Sequence, residues 1–357
     1  MDSMKKTRLF ILGAGFSAGA GIPMTNQLLP DALELMRGEC PGIYERIENS
    51  AQIFFQNNLG LLDQNLDAQG FSNLCSSLHY IEMRNFGGSE RWSEDGDREI
   101  LTLKYFLSKK IAQVTPENIP DQYLEFAKEL DCYDAIITFN WDCLLEKAIL
   151  AVGKKFTYNY SEIDWCDDNK NDLIYIQKMH GSINWNLGKS HSDNGFGMYE
   201  HLAFKQNFNS NSIFYSKQLM SFTPWNNDND YLSSFEQAGD RFLQPFIILP
   251  GIGKSFDVRK LASIWDRPSV AFASRRDVYI IGFSLDHDDF FARHMFYESL
   301  PIEDWSSAGI SRDTILINPS EKDLLNYNFI PDDTKIVRQK SFDLEDVLFI
   351  NAHRSRS

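Results

Sequence analysis

Two periods of apolar residues run along the chain. Short apolar runs predict buried strands over residues 8–12, 135–139, 173–176, 246–249, 278–281 and 314–317. Between them, apolar residues recur at helical spacing. Gln27 to Met36 reads as one helix, and Ile100, Leu103, Phe106, Leu107 and Ile111 line the face of another. Tyr123, Phe126, Ala127 and Leu130 follow Pro120 in the same way, and Leu144, Leu145, Ala148, Ile149 and Val152 lead to a stop at Gly153. A further helix is expected to bend at Pro268. Apolar strands alternating with helices predict an α/β fold: a Rossmann-like parallel sheet with helices on both faces. Residues 40–130 read as an inserted, mainly helical module, and 186–240 as a polar and aromatic insertion, within a single domain spanning 1–357.

Composition narrows the setting. The chain has 357 residues, 43% of them apolar, which is enough for a sizeable core. No apolar run reaches the roughly twenty residues that cross a bilayer, and the polar start does not read as a secretory signal. The five cysteines, Cys40, Cys75, Cys132, Cys143 and Cys166, include no Cys-x-x-Cys pair. That argues against a zinc ribbon or a disulfide framework and for a reducing cytoplasm. A net charge of −15 argues against broad nucleic-acid contact and favours solubility.

Candidate chemistry lies where strands end, because ligands of open parallel sheets bind at the carboxyl edge. The first strand runs into Gly13-Ala14-Gly15-Phe16-Ser17, where missing side chains and amide donors suit a phosphate. A plain turn is the alternative. The second strand runs into Asn140-Trp141-Asp142, which either meet a ligand or cap the next helix. The third leads to His180-Gly181-Ser182, with His180 either a base or a hydrogen-bonded structural residue. Later strands lead to Gly282-Phe283-Ser284, a site or a turn, and to Asn318. The acidic residue that dehydrogenases place about twenty residues after the glycines has no preceding strand here.

The succession Gly-Ala-Gly-x-Ser…Gly-Ile-Pro, Asn-x-Asp, His-Gly-Ser and Gly-x-Ser resembles the sirtuin family. It is most similar to the bacterial sirtuin-like NAD hydrolases of phage defence. The resemblance implies NAD as substrate, cleaved to nicotinamide and ADP-ribose in a regulated, NAD-depleting response. It implies that Gly13, Ala14, Gly15 and Ser17 hold the pyrophosphate, and that Asn140 contacts the nicotinamide-side ribose and places a water. It further implies Asp142 near the carboxamide, His180 as the base, Gly282 and Ser284 at phosphate or ribose, and Asn318 at the adenosine side. A homo-oligomer, and a separate motor ATPase or a phage-derived trigger, are implied as partners.

Three departures bear on the activity. The four zinc-binding cysteines of deacylating sirtuins have no counterpart, so no metal is expected. Met24-Thr25 stands where those enzymes carry Phe-Arg, and Phe139 where they carry Gln. Deacylation and ADP-ribosyl transfer therefore rank below NAD hydrolysis, and a sensor that binds NAD or ADP-ribose without turnover is the main alternative. Gly251-Ile252-Gly253-Lys254-Ser255 imitates the end of a P-loop, but Ile248 occupies the position of its first glycine. Lys254 is expected at the surface or near the site. Asp286-His287-Asp288-Asp289 reads as an acidic helix start rather than a metal cluster. His79, His191, His201 and His353 show no ligand spacing.

Overall fold

A computed structural model describes residues 7–56, 60, 62, 66–85, 95–158, 173–191, 198–202, 241–265, 268, 271–272, 277–287, 289–300 and 313–356. Cys166, Asp288, the surroundings of Pro268 and most of the 186–240 segment lie outside them. The chain forms two compact units, one of residues 1–22, 115–179 and 261–357, the other of residues 23–114 and 180–260.

The first unit is built on the expected parallel sheet. It contains β1 (Arg8–Leu12), β2 (Ala135–Thr138), β3 (Lys155–Thr157), β4 (Leu173–Lys178), β8 (Asp277–Ile281), β9 (Thr314–Ile317) and β10 (Lys335–Arg338), in the order β10-β9-β8-β1-β2-β4-β3. Every residue of β1, β2, β8 and β9 is buried, so both faces of these strands are covered. Phe10 stacks on Tyr279 and meets Phe126 of α6 (Asp121–Glu129) edge-on, each at 5.1 Å. Phe16, on α1 (Ala14–Ala18), packs against Tyr123, Phe126 and Phe342. Arg8 is held inside this core by two bonds to Asp134, Nε to Oδ1 at 2.8 Å and Nη2 to Oδ2 at 2.6 Å.

Pairing register sets up the functional edge. Leu12 lies opposite Thr138 and Ile281, Thr138 opposite Lys178, and Ile281 opposite Ile317, which in turn lies opposite Arg338. Six parallel strands thus end in one row, and every loop that follows them starts there. The strand order reverses at β1, whose neighbours β2 and β8 begin the two halves of the sheet. Such a switch point is where sheets of this kind take ligands.

The amino-terminal segment of the second unit folds into α2 (Thr25–Glu39), α3 (Pro41–Phe55), α4 (Ala68–Asn85) and α5 (Asp95–Val114). Leu28, Leu29, Ala32, Leu33 and Met36 of α2 are buried, as are Ile100, Leu103, Phe106, Leu107 and Ile111 of α5. The same unit contains an antiparallel sheet of β5 (Gly181–His191), β6 (Met198–Leu202) and β7 (Arg241–Ile247), in the order β6-β5-β7. The apolar run at 246–249 therefore overlaps β7 of this small sheet and is not a strand of the parallel one. Periodicity marks a buried strand without naming its partner. No described helix is long and apolar enough to cross a membrane.

The imitation P-loop is packing against α4. A Cβ on Gly251 (φ +103°) would lie 2.5 Å from Ser76 Oγ, and one on Gly253 2.0 Å from the His79 ring. Lys254 opens α8 (Lys254–Lys260) and is buried, which rules out the surface, one of the two positions expected for it. The acidic start at 286–289 does open a helix, α10 (Phe290–Ser299), with Asp289 Oδ1 accepting from the Ala292 amide at 3.0 Å.

Candidate functional site

The loop after β1 is shaped by close approach to the loop after β8. Gly13 donates to Ile281 O at 3.0 Å, Gly15 to Gly282 O at 2.9 Å, and Phe16 to Gly13 O at 2.9 Å. A Cβ on Gly13 would stand 2.5 Å from Gly282 O, and one on Gly15 2.8 Å from Gly282 Cα. Gly282 adopts φ +61°, and a Cβ there would meet the Gly15 carbonyl carbon at 2.3 Å. The expectation that the Gly13 and Gly15 amides await a phosphate is corrected by these bonds, because both donors are already engaged. The glycines let two backbones touch. Gly13→Ala is expected to destabilise the protein by ~1–3 kcal/mol through overpacking against backbone that cannot rotate away. Urea unfolding checks this, and an unchanged midpoint would overturn it.

Asn140 is tied into that loop. Its Nδ2 donates to Gly13 O at 2.9 Å and to Ser17 Oγ at 3.1 Å, and its own amide donates to Thr138 Oγ1 at 3.2 Å. Asn140 therefore does not cap the next helix. Asp142 does take part in that start: its Oδ1 accepts from the Leu144 amide, the first of α7 (Leu144–Ala151), at 2.9 Å. With 1% exposure, Ser17 supports Asn140 from beneath rather than standing at the surface. Burial raises the Asp142 carboxyl above the usual carboxylate range, against the opposing pull of Lys178 and the Leu144 amide.

Below this loop lies a charged network that the sequence did not mark. Lys178 Nζ donates to Asp142 O at 2.5 Å and to Glu146 Oε1 at 2.9 Å, and the Tyr158 hydroxyl donates to the same Glu146 oxygen at 2.9 Å. Lys178 and Glu146 are 1% and 2% exposed. Desolvation would lower the Lys178 ammonium, but its pairing with Glu146 and the nearby Cys143 and Asp142 raise it overall. Lys178 reads in sequence as the end of an apolar strand, so nothing in its spacing announces a buried cation.

On the other side of β1, Phe283 stacks on Phe139 at 4.1 Å. Phe283 O accepts from Tyr327 Oη at 2.8 Å and from Asn318 Nδ2 at 3.4 Å. Ser284 O accepts from Asn326 Nδ2 at 2.8 Å. Asn318 Oδ1 accepts from the Ser320 amide at 2.9 Å. Leu285 follows with φ +51°, an unusual backbone for a branched, buried residue. Asn326 and Tyr327 sit in a polar stretch with no motif, which is why sequence reasoning missed them.

His180 belongs to the second unit, one residue beyond the boundary at Met179. It is half-buried, and its carbonyl accepts from the Ile248 amide at 2.8 Å. Gly181 (φ +73°) makes the turn into β5, where a Cβ would meet Phe246 O at 2.2 Å. The first unit thus brings together Gly13, Ala14, Gly15, Ser17, Asn140, Asp142, Gly282, Ser284 and Asn318 at one sheet edge. His180 stands at the head of the second.

No protein-family profile matches the chain, and no curated protein matches it. Among solved structures it is similar to Sir2Tm bound to a propionylated peptide, at 12% identity, TM-score 0.40, with 99% of this chain and 95% of that chain covered. It is similar also to a Sir2 complex with a p53 peptide and NAD+, at 13% identity, TM-score 0.41 and the same coverage. A third, from a study of the mechanism and regulation of Sir2 enzymes, shows 15% identity and TM-score 0.39, with 99% and 93% covered. These figures describe a remote likeness.

Proposed function

We propose that the chain is an NAD+ glycohydrolase that cleaves the nicotinamide–ribose bond. One observation carries the reading: Asn140 is locked by Gly13 O and Ser17 Oγ at the switch point of a parallel sheet, in loops whose sequence resembles sirtuin motifs. With Nδ2 engaged by the loop, Oδ1 is the Asn140 atom offered to a ribose hydroxyl or a water. The C1′–N1 bond breaks, and nicotinamide leaves as a neutral base, so no strong general acid is required. Water adds to C1′ through an oxocarbenium-like state, as in other glycoside cleavage, and its proton passes to His180. In this reading the phosphates take donors other than the Gly13 and Gly15 amides, Asp142 lies toward the carboxamide, and Gly282, Ser284 and Asn318 frame the remainder.

Incubating the purified chain with NAD+ is expected to release nicotinamide and ADP-ribose in equal amounts, as measured by chromatography. A chain that is stabilised by NAD+ or ADP-ribose against thermal unfolding yet releases neither product, alone or in lysate of infected cells, would overturn hydrolysis in favour of a sensor. The wider proposal, a defence effector working as a homo-oligomer with a motor ATPase or a phage-derived trigger, rests on the resemblance alone.

A further inference from the structure

The loop after β2 carries Asn140 and Asp142, and side chains from two neighbouring strand ends tie it down at both ends. At its start, Thr138 Oγ1 donates to Leu12 O at 3.3 Å and accepts from the Asn140 amide at 3.2 Å. At its end, Lys178 Nζ donates to Asp142 O at 2.5 Å. Register explains the arrangement: Thr138 is the last residue of β2 and lies opposite Lys178, the last residue of β4. The Asp142 side chain accepts from the Leu144 amide, so this residue is held by both its carbonyl and its carboxylate.

Lys178 is an unfavourable residue for a buried strand end. Its ammonium is 1% exposed, and desolvating it opposes folding. Glu146, in the first turn of α7, offsets the charge, and the Tyr158 hydroxyl donates to the same carboxylate oxygen at 2.9 Å. Charge balance alone does not account for the residue, because an apolar pair of like volume at 146 and 178 would serve stability as well or better. What an apolar pair would lack is the donor to Asp142 O. A bond from an ammonium to a peptide carbonyl is charge-assisted and stronger than a neutral one. It fixes the Asp142–Cys143 peptide two residues after Asn140, whose Nδ2 is already committed to Gly13 O and Ser17 Oγ.

We propose that Lys178 is a positioning residue for NAD+ cleavage: its ammonium holds the Asn140–Asp142 loop in the geometry that orients the substrate, and Glu146 keeps that ammonium in place. The catalytic half of this inference rests on the NAD+ reading above. The test compares the wild type with Lys178→Met and with the double variant Lys178→Met, Glu146→Gln, which removes both charges of the pair. Lys178→Met alone is expected to melt lower, since Glu146 is left buried without its cation. The double variant should regain most of that loss, yet exchange the amide hydrogens of residues 139–144 about tenfold faster than the wild type. It should also lose about 10²-fold in kcat for NAD+, with KM within about twofold, as misplacement of an orienting group does. Tyr158→Phe, which leaves the bond to Asp142 O untouched, should match the wild type in exchange and in kcat. Unchanged exchange in the double variant would overturn the loop-holding role, whether or not the wild type cleaves NAD+. Faster exchange with unchanged kcat, in an active wild type, would overturn the role in catalysis. A wild type that releases no nicotinamide would refute the NAD+ reading itself, and exchange would still decide what Lys178 holds.

Discussion

His180→Ala is expected to lower NAD+ turnover by about 10²–10⁴-fold, the usual contribution of a positioned base. The variant should keep its melting temperature, because His180 is half-buried and its backbone carbonyl, not its ring, holds Ile248. Asn140→Ala is expected to lose about 10²-fold by a different route. It removes the tie to Gly13 O and Ser17 Oγ and so loosens the geometry on which orientation depends. The two are separable by thermal unfolding, since only the asparagine variant loses a tie within the loop after β1. Wild-type turnover in purified, folded His180→Ala would remove His180 from the mechanism and leave the asparagine loop to be judged alone.

The second large effect concerns stability. Asp134→Ala is expected to cost about 3–5 kcal/mol, because it leaves the Arg8 guanidinium buried without its carboxylate. Both side chains are at most 1% exposed. Asp134 also accepts from the Asp131 amide at 2.9 Å, so the turn before β2 loosens with it. Replacing both partners with apolar residues, Arg8→Met with Asp134→Leu, should recover most of the loss, since desolvation offsets much of what a buried pair gains. Urea unfolding checks both. A shift below about 1 kcal/mol in the single variant would mean that water reaches the guanidinium.

What could be read from the sequence follows burial. The strands β1, β2, β8 and β9 are buried along their whole length, and such runs announce themselves without alternation. The edge strands β3 and β10 did not, because Lys155-Phe156-Thr157 and Lys335-Ile336-Val337-Arg338 carry charge and expose part of their residues. The glycines after β1 were visible, but their work was not. Spacing cannot distinguish a loop that approaches a ligand from one that approaches Gly282. The buried pair of Lys178 with Glu146 depends on tertiary contacts between distant segments, and there the sequence is silent.

The place of β1 also bears on how the protein is made. Leu9 to Leu12 pair on one side with residues 135–138 and on the other with residues 278–281. Of the strands in the parallel sheet, β1 therefore waits through the longest stretch of chain for its second neighbour. A nascent chain shorter than about 280 residues presents the open edge of an apolar strand, the kind of edge that recruits other chains. Efficient production should thus depend on how quickly residues 277–281 follow, and a chaperone that shields residues 8–12 would act where the sheet is longest unfinished.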